Sequence, residues 1–140
     1  MTPEDAGAAA PFASENIPVA GSYRDPSGYL FWRDGVLYRR VHCSYSESYR
    51  TCVESGLYGS LTDAGLLISH EELPAEIVPH AGAGETLCLL RPQVVPFISH
   101  PYEWCFGQWK AAALATLDIQ SRALDAGMIL KDASAFNIQF

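Results

Sequence analysis

Two aromatic-rich runs joined through a single Asp-Gly turn limit the fold more than any other stretch. Tyr29-Leu30-Phe31-Trp32 and Val36-Leu37-Tyr38-Arg39-Arg40-Val41 flank Arg33-Asp34-Gly35. Aromatic and β-branched side chains suit a pleated, half-buried surface. Asp-Gly accepts the positive φ angles that tight hairpin turns demand. The pattern therefore predicts an antiparallel hairpin, entered through a turn at Asp25-Pro26-Ser27-Gly28. Residues 1–22 before it are rich in Ala, Pro and acid and show little periodicity, which predicts a disordered tail.

After the hairpin the period lengthens. Tyr49, Val53, Leu57 and Leu61 recur every four residues, one face of a helix between residues 47 and 67. Gly56 and Gly59 each cost about 1 kcal/mol in a helix interior. Ser55 suits the start of a new helix, so one interrupted helix and two short ones are both open. Gly65 fits the position just past a helix end. Glu47 and Glu54 are candidate active-site carboxylates on this helix, although solvated surface acids are the simpler reading. Residues 68–72 read as a connector. Residues 75–78 and 86–90 read as strands about a glycine-bearing loop, Gly82-Ala83-Gly84. A phosphate-binding loop would open a helix, whereas these flanks look like strands. Residues 94–98 carry Pro96 and form an edge or linker.

Residues 101–126 give the longest helical pattern, with Phe106, Trp109, Ala113, Leu117 and Leu124 on one stripe. Pro101 suits a first turn and Gly127 a terminal cap. His100, Tyr102, Glu103 and Trp104 read as aromatic packing at a domain seam.

Composition excludes several function classes. The 140 residues are 49% hydrophobic and 18% charged, ordinary for a globular domain. A net charge of −7, with no basic cluster beyond Arg39-Arg40, argues against a nucleic-acid surface. Those two arginines at a strand end read as solvated. Cys43, Cys52, Cys88 and Cys105 form no C-x-x-C, and His42, His70, His80 and His100 are scattered, so zinc-ligand spacing is absent. Reduced thiols are the expectation. No apolar run is long enough to span a membrane, and the start has no basic segment of a signal peptide. A cytoplasmic chain is expected.

The long helix leads into Gly127-Met128-Ile129-Leu130-Lys131-Asp132, then four residues, Asn137 and an apolar-polar-apolar strand start, Ile138-Gln139-Phe140. Asp, four residues, Asn and a strand is the skeleton of a kinase catalytic loop. There one loop presents a base and a hard oxygen ligand to the same phosphoryl group. The competing reading is a surface turn in which Asp132 and Asn137 act as caps. The order hairpin, helix, hairpin, linker, long helix and loop resembles a protein-kinase-like small lobe with the start of a large lobe. That resemblance implies an α+β fold. Asp132 matches the base, Asn137 the metal ligand and Lys131 a phosphate contact. It lacks the glycine-rich loop over the first hairpin, the strand lysine (Arg39 and Arg40 stand there) and the second metal-binding Asp. ATP with magnesium is thus an open cofactor reading.

A closer resemblance covers most of residues 28–140. Leu37-Tyr-Arg-Arg-Val41, Glu54-Ser-Gly-Leu-Tyr58, Gly65-Leu-Leu-Ile-Ser-His-Glu, Pro96-Phe-Ile-Ser-His-Pro-Tyr-Glu-Trp104 and Leu130-Lys-Asp-Ala-Ser-Ala-Phe-Asn-Ile-Gln-Phe140 are similar to the N-terminal region of bacterial class I SAM-dependent methyltransferases. This implies an N-terminal accessory region whose partner is a C-terminal methyltransferase domain carrying the S-adenosylmethionine. The strand, glycine-rich turn and helix of a SAM site are not in evidence here. The expected organisation is a tail over 1–22, a small-lobe-like region over 23–98, and the long helix and loop over 99–140. An apolar strand start at Phe140 without a return partner fits a front fragment. The rivals are a small-molecule phosphotransferase and a non-catalytic, pseudokinase-like binding module.

Overall fold

Asp34 and Gly35 both take left-handed angles, φ 50° and 75°. This is the two-residue turn whose twist matches right-twisted strands. It closes Gly28–Arg33 onto Val36–His42, with Arg33 opposite Val36 and Gly28 opposite Val41, as predicted. Gly28 has a second role. A Cβ there would lie 1.8 Å from the Arg40 carbonyl oxygen, so the strand pair tolerates only glycine at this crossing.

A computed structural model describes residues 15–78 and 85–140. The described strands are β1 (Ile17–Pro18), β2 (Gly28–Arg33), β3 (Val36–His42), β4 (His70–Leu73) and β5 (Thr86–Pro92). They form one antiparallel sheet in the order β1-β2-β3-β5-β4. The helices are α1 (Ser46–Glu54), α2 (Leu57–Asp63) and α3 (Phe106–Asp125). The class is α+β.

Four strand assignments differ from the sequence reading. Residues 15–22, grouped with the tail, contain β1, which pairs Ile17 with Trp32 and Pro18 with Phe31. Residues 68–72, read as a connector, contain most of β4, while 75–78, read as a strand, form a 3-10 turn over Ala75–Ile77. The cause is non-local. β4 is a charged edge strand whose register, His70 opposite Pro92 and Leu73 opposite Leu89, is set by β5 rather than by its own apolar pattern. Residues 138–140 join no strand. The Gly82-Ala83-Gly84 loop lies outside the described residues.

Each face of the sheet has its own core. Phe31 and Leu89, both fully buried, pack with Val78, Tyr29, Tyr38 and Leu73 on one face. Val41, Cys88 and Leu90 meet Tyr49 of α1 on the other, flanked by Tyr45 and Tyr58. Fully burying a side chain such as Leu89 contributes about 1.5–3 kcal/mol. A third cluster joins the helices through Cys52, Leu57, Leu61 and Ala123.

The helical periods resolve into two short helices broken at Ser55-Gly56. α2 ends as expected: the Gly65 N–H donates to the Thr62 carbonyl and the Leu66 N–H to the Leu61 carbonyl. α3 begins later than the sequence suggests. Pro101 opens a separate 3-10 turn over Pro101–Glu103, and Trp104 and Cys105 are extended before the helix proper. Its buried positions are Ala112 and Ala123, and the small Ala123 packs against Leu57 and Leu61 of α2. The stripe read as its apolar face points outward, with Phe106 82%, Leu117 66% and Leu124 58% exposed.

Candidate functional site

The final turn of α3 sets the path of the loop that follows. The Gly127 N–H donates to the Leu124 carbonyl at 2.9 Å and the Met128 N–H to the Ala123 carbonyl at 2.8 Å. This reversal sends Met128 back into the helix cluster, where its Sδ lies 3.4 Å from Cys52 Sγ. The Leu130 N–H then donates to Gln120 Oε1 at 3.1 Å, holding the next residues along α3.

Lys131 ties this loop to the start of the sheet. Its Nζ donates to Asp25 Oδ1 at 2.7 Å and to Ser27 Oγ at 2.8 Å. The other Asp25 oxygen accepts from Arg39 Nη2 at 2.7 Å, and the Ser27 N–H donates to Oδ1 at 2.9 Å. One carboxylate thus holds a strand arginine and the loop lysine together. Burial alone would raise the Asp25 pKa. The hydrogen bonds from Lys131, the Ser27 N–H and Arg39 outweigh it and hold the carboxyl well below the usual carboxylate range.

Asp132 and Asn137 are brought together, but each spends a bond on its own loop. Asp132 Oδ1 accepts from the Ser134 N–H at 2.9 Å, and Asn137 Nδ2 donates to the Asp132 carbonyl at 3.2 Å. Ser134 caps the 3-10 turn Ala135–Asn137 by accepting from the Phe136 N–H. Both Asp132 and Asn137 are exposed. The arrangement is an Asx-type turn that nevertheless leaves carboxylate and amide oxygens within one short loop. Among the described residues no group of three or more His, Cys, Asp or Glu side chains is placed to hold a metal. A cation at this loop would rest on Asp132 and Asn137, with water completing its shell.

Beyond the turn, Gln139 brackets Ser99, accepting from the Ser99 N–H at 2.9 Å and donating to the Ser99 carbonyl at 3.2 Å. Trp104 donates through Nε1 to Ser99 Oγ and meets the Phe140 ring edge-on at 5.0 Å. The stretch read as a strand start is instead pinned by side chains to the segment before α3.

A cavity of about 290 Å³ lies beneath this loop. Leu61 of α2, Ile119 and Ala123 of α3, Cys52, Tyr58 and Met128 line much of it, and Lys131, Asp132 and Asn137 stand at its loop side. Burial pushes the Cys52 thiol and the Tyr45 and Tyr58 phenols up, so these walls are uncharged at neutral pH.

Arg39 and Arg40 depart from the solvated reading. Arg39 sits in the Asp25 pair, while Arg40 is buried, with its guanidinium 5.6 Å from the Tyr29 ring centroid. Glu47 and Glu54 are exposed on α1. The carboxylate that faces α1 comes from the sheet: Glu72 Oε2 accepts from the Tyr49 hydroxyl at 2.6 Å. Neither Asp25 nor Glu72 carried a local signal beyond a turn and a connector. All four cysteines are free thiols, Cys52 and Cys88 buried, Cys43 and Cys105 exposed. No helix among the described residues is long and apolar enough to cross a membrane.

The chain is 33% identical over 122 residues to nodulation protein NoeA of Rhizobium meliloti (strain 1021), a match that takes in 87% of this chain and 25% of that protein. It therefore spans about a quarter of the length of the curated relative it matches. No family model matches the chain. No solved structure matches it.

Proposed function

We propose that this chain is the N-terminal accessory region of a longer, SAM-dependent methyltransferase-family protein, with a kinase-small-lobe-like sheet and an incomplete large lobe. Methyl transfer and the S-adenosylmethionine site belong to a C-terminal domain of the parent chain. The observation that carries this reading is the outward stripe of α3, where Phe106, Trp109, Leu117 and Leu124 are all exposed. Large contiguous apolar surface of this kind marks an interface. The match to a quarter of NoeA supports a larger setting for the same region. The test is deletion of residues 1–140 from the parent protein, alongside Phe106→Asp/Leu117→Asp in the intact protein. Loss of methyl transfer or of parent stability in both is expected. Unchanged activity and unchanged melting in both would remove the accessory role.

A second reading has its own support. Lys131, Asp132 and Asn137 share one loop, which suits phosphoryl transfer from ATP and magnesium to a small molecule. Against this, Asp132 and Asn137 already stabilise their own turn, which favours a non-catalytic binding module. ATP and magnesium added to the parent protein separate these alternatives. A thermal shift abolished by Asp132→Ala and Asn137→Ala supports the phosphotransferase, and none at millimolar ATP rejects it.

A further inference from the structure

We propose that the cavity between α1–α2 and α3 binds a small amphiphile, its apolar body inside and a carboxylate head on Lys131. The argument rests on shape, lining and one preset donor. The volume, about 290 Å³, is at the lower edge of small-molecule sites, which run from roughly 300 Å³ upward. Its walls come from elements far apart in the chain: Cys52, Leu61, Ile119, Ala123 and Met128 supply apolar surface. An apolar void of this kind favours apolar guests over water.

The polar end is organised separately. Lys131 Nζ carries three N–H donors, and Asp25 and Ser27 take two of them. The third is left to meet a head group, on a side chain still 57% exposed. Asp25, clamped by Arg39 as well, fixes where that ammonium sits. Asp132 Oδ1 accepts from the Ser134 N–H of its own loop, while the ion pair of Lys131 is made with Asp25. A cation head in the place of the carboxylate, on Lys131, would be repelled by that ammonium.

Octanoate, octanol and octylammonium serve as probes on the 140-residue chain, read by calorimetry and by the Met128 methyl resonance. Octanoate is expected to bind saturably and to shift that resonance, with octylammonium weaker by about tenfold or more, the range of a charge-assisted hydrogen bond. Lys131→Met should weaken octanoate by about tenfold more than it weakens octanol. Ile119→Trp, which fills the cavity, should abolish both. Should that variant misfold, Lys131→Met, exposed and outside the core, keeps the test intact. Absence of saturable octanoate binding, or binding that leaves the Met128 methyl unmoved, overturns the proposal. Equal affinity for octanoate and octylammonium overturns the assigned head group.

Discussion

The sheet and α3 treat their large apolar side chains in opposite ways. Phe31 and Leu89 are wholly enclosed, with Val41 and Leu90 close behind. On α3 the buried positions are Ala112 and Ala123, while Phe106, Leu114, Leu117 and Leu124 face outward. The sheet satisfies itself from within the chain, because both its faces are covered by residues the chain supplies. α3 is satisfied on one side only. This asymmetry divides apolar residues that the chain itself covers from apolar residues that it leaves exposed.

The sharpest way to break the comparison is to truncate one residue on each side. Phe31→Ala leaves a cavity between Val78, Leu89 and Tyr38 and should cost about 3–5 kcal/mol in chemical unfolding. Phe106→Ala removes as large a ring from an 82% exposed position and should stay within about 0.5 kcal/mol. Comparable losses from both would mean that α3 is covered in solution. Next in size is Gly28→Ala. Its Cβ would meet the Arg40 backbone oxygen, which cannot swing aside, so a loss of about 2–4 kcal/mol with local fraying of β2 from β3 is expected by hydrogen exchange.

The link between sheet and helices is tested by Tyr49→Phe. Removing the hydroxyl leaves Glu72 without its 2.6 Å donor, and a loss of about 1 kcal/mol is expected. Burial and the neighbouring carboxylate raise the Tyr49 pKa, so the phenol donates throughout the neutral range. A neutral effect would show that α1 is held by apolar packing alone.

What could be read from the sequence follows the same division. The β2–β3 hairpin, the break at Ser55-Gly56 and the caps at Gly65 and Gly127 are local, each written in a few adjacent residues, and all formed. β4 was missed because its pattern, His70-Glu71-Glu72-Leu73, is polar. Its strand character comes from pairing with β5 and from the Arg91–Glu71 ion pair. The outward turn of α3 was missed because periodicity gives a stripe, not its partner; Ala112 and Ala123 won the inner side on size. At the site, Lys131, Asp132 and Asn137 were legible as a spacing. The Asp25–Arg39–Lys131 cluster was not, since its members are brought together only by the fold.

That cluster bridges the two regions, and its pH dependence measures how firmly. The folded-state pKa of Asp25 is depressed, so its stabilising contribution is fully present above the unfolded carboxylate value of about 4. It is lost as pH falls through the lower folded value. Asp25→Asn should cost about 1 kcal/mol at pH 7, discounted for partial exposure. The gap between variant and parent should close progressively below about pH 4. A gap as large at pH 2 as at pH 7 would mean that Asn disturbs the turn at Ser27 rather than removing a charge.

The smallest effect expected is at the loop itself. Asp132→Ala deletes the acceptor for the Ser134 N–H, yet that donor is exposed and water replaces the bond. The loss should be at most about 0.5 kcal/mol, as for surface changes elsewhere. Asn137→Ala frees the Asp132 carbonyl to solvent in the same way, with a similarly small cost. The value of the pair lies in this smallness. If neither residue matters to folding, then any functional defect the substitutions cause reports on ligand or partner at that loop. If either instead costs as much as Tyr49→Phe, the turn is a structural strut joining α3 to Ser99, and its spacing needs no chemistry to explain it.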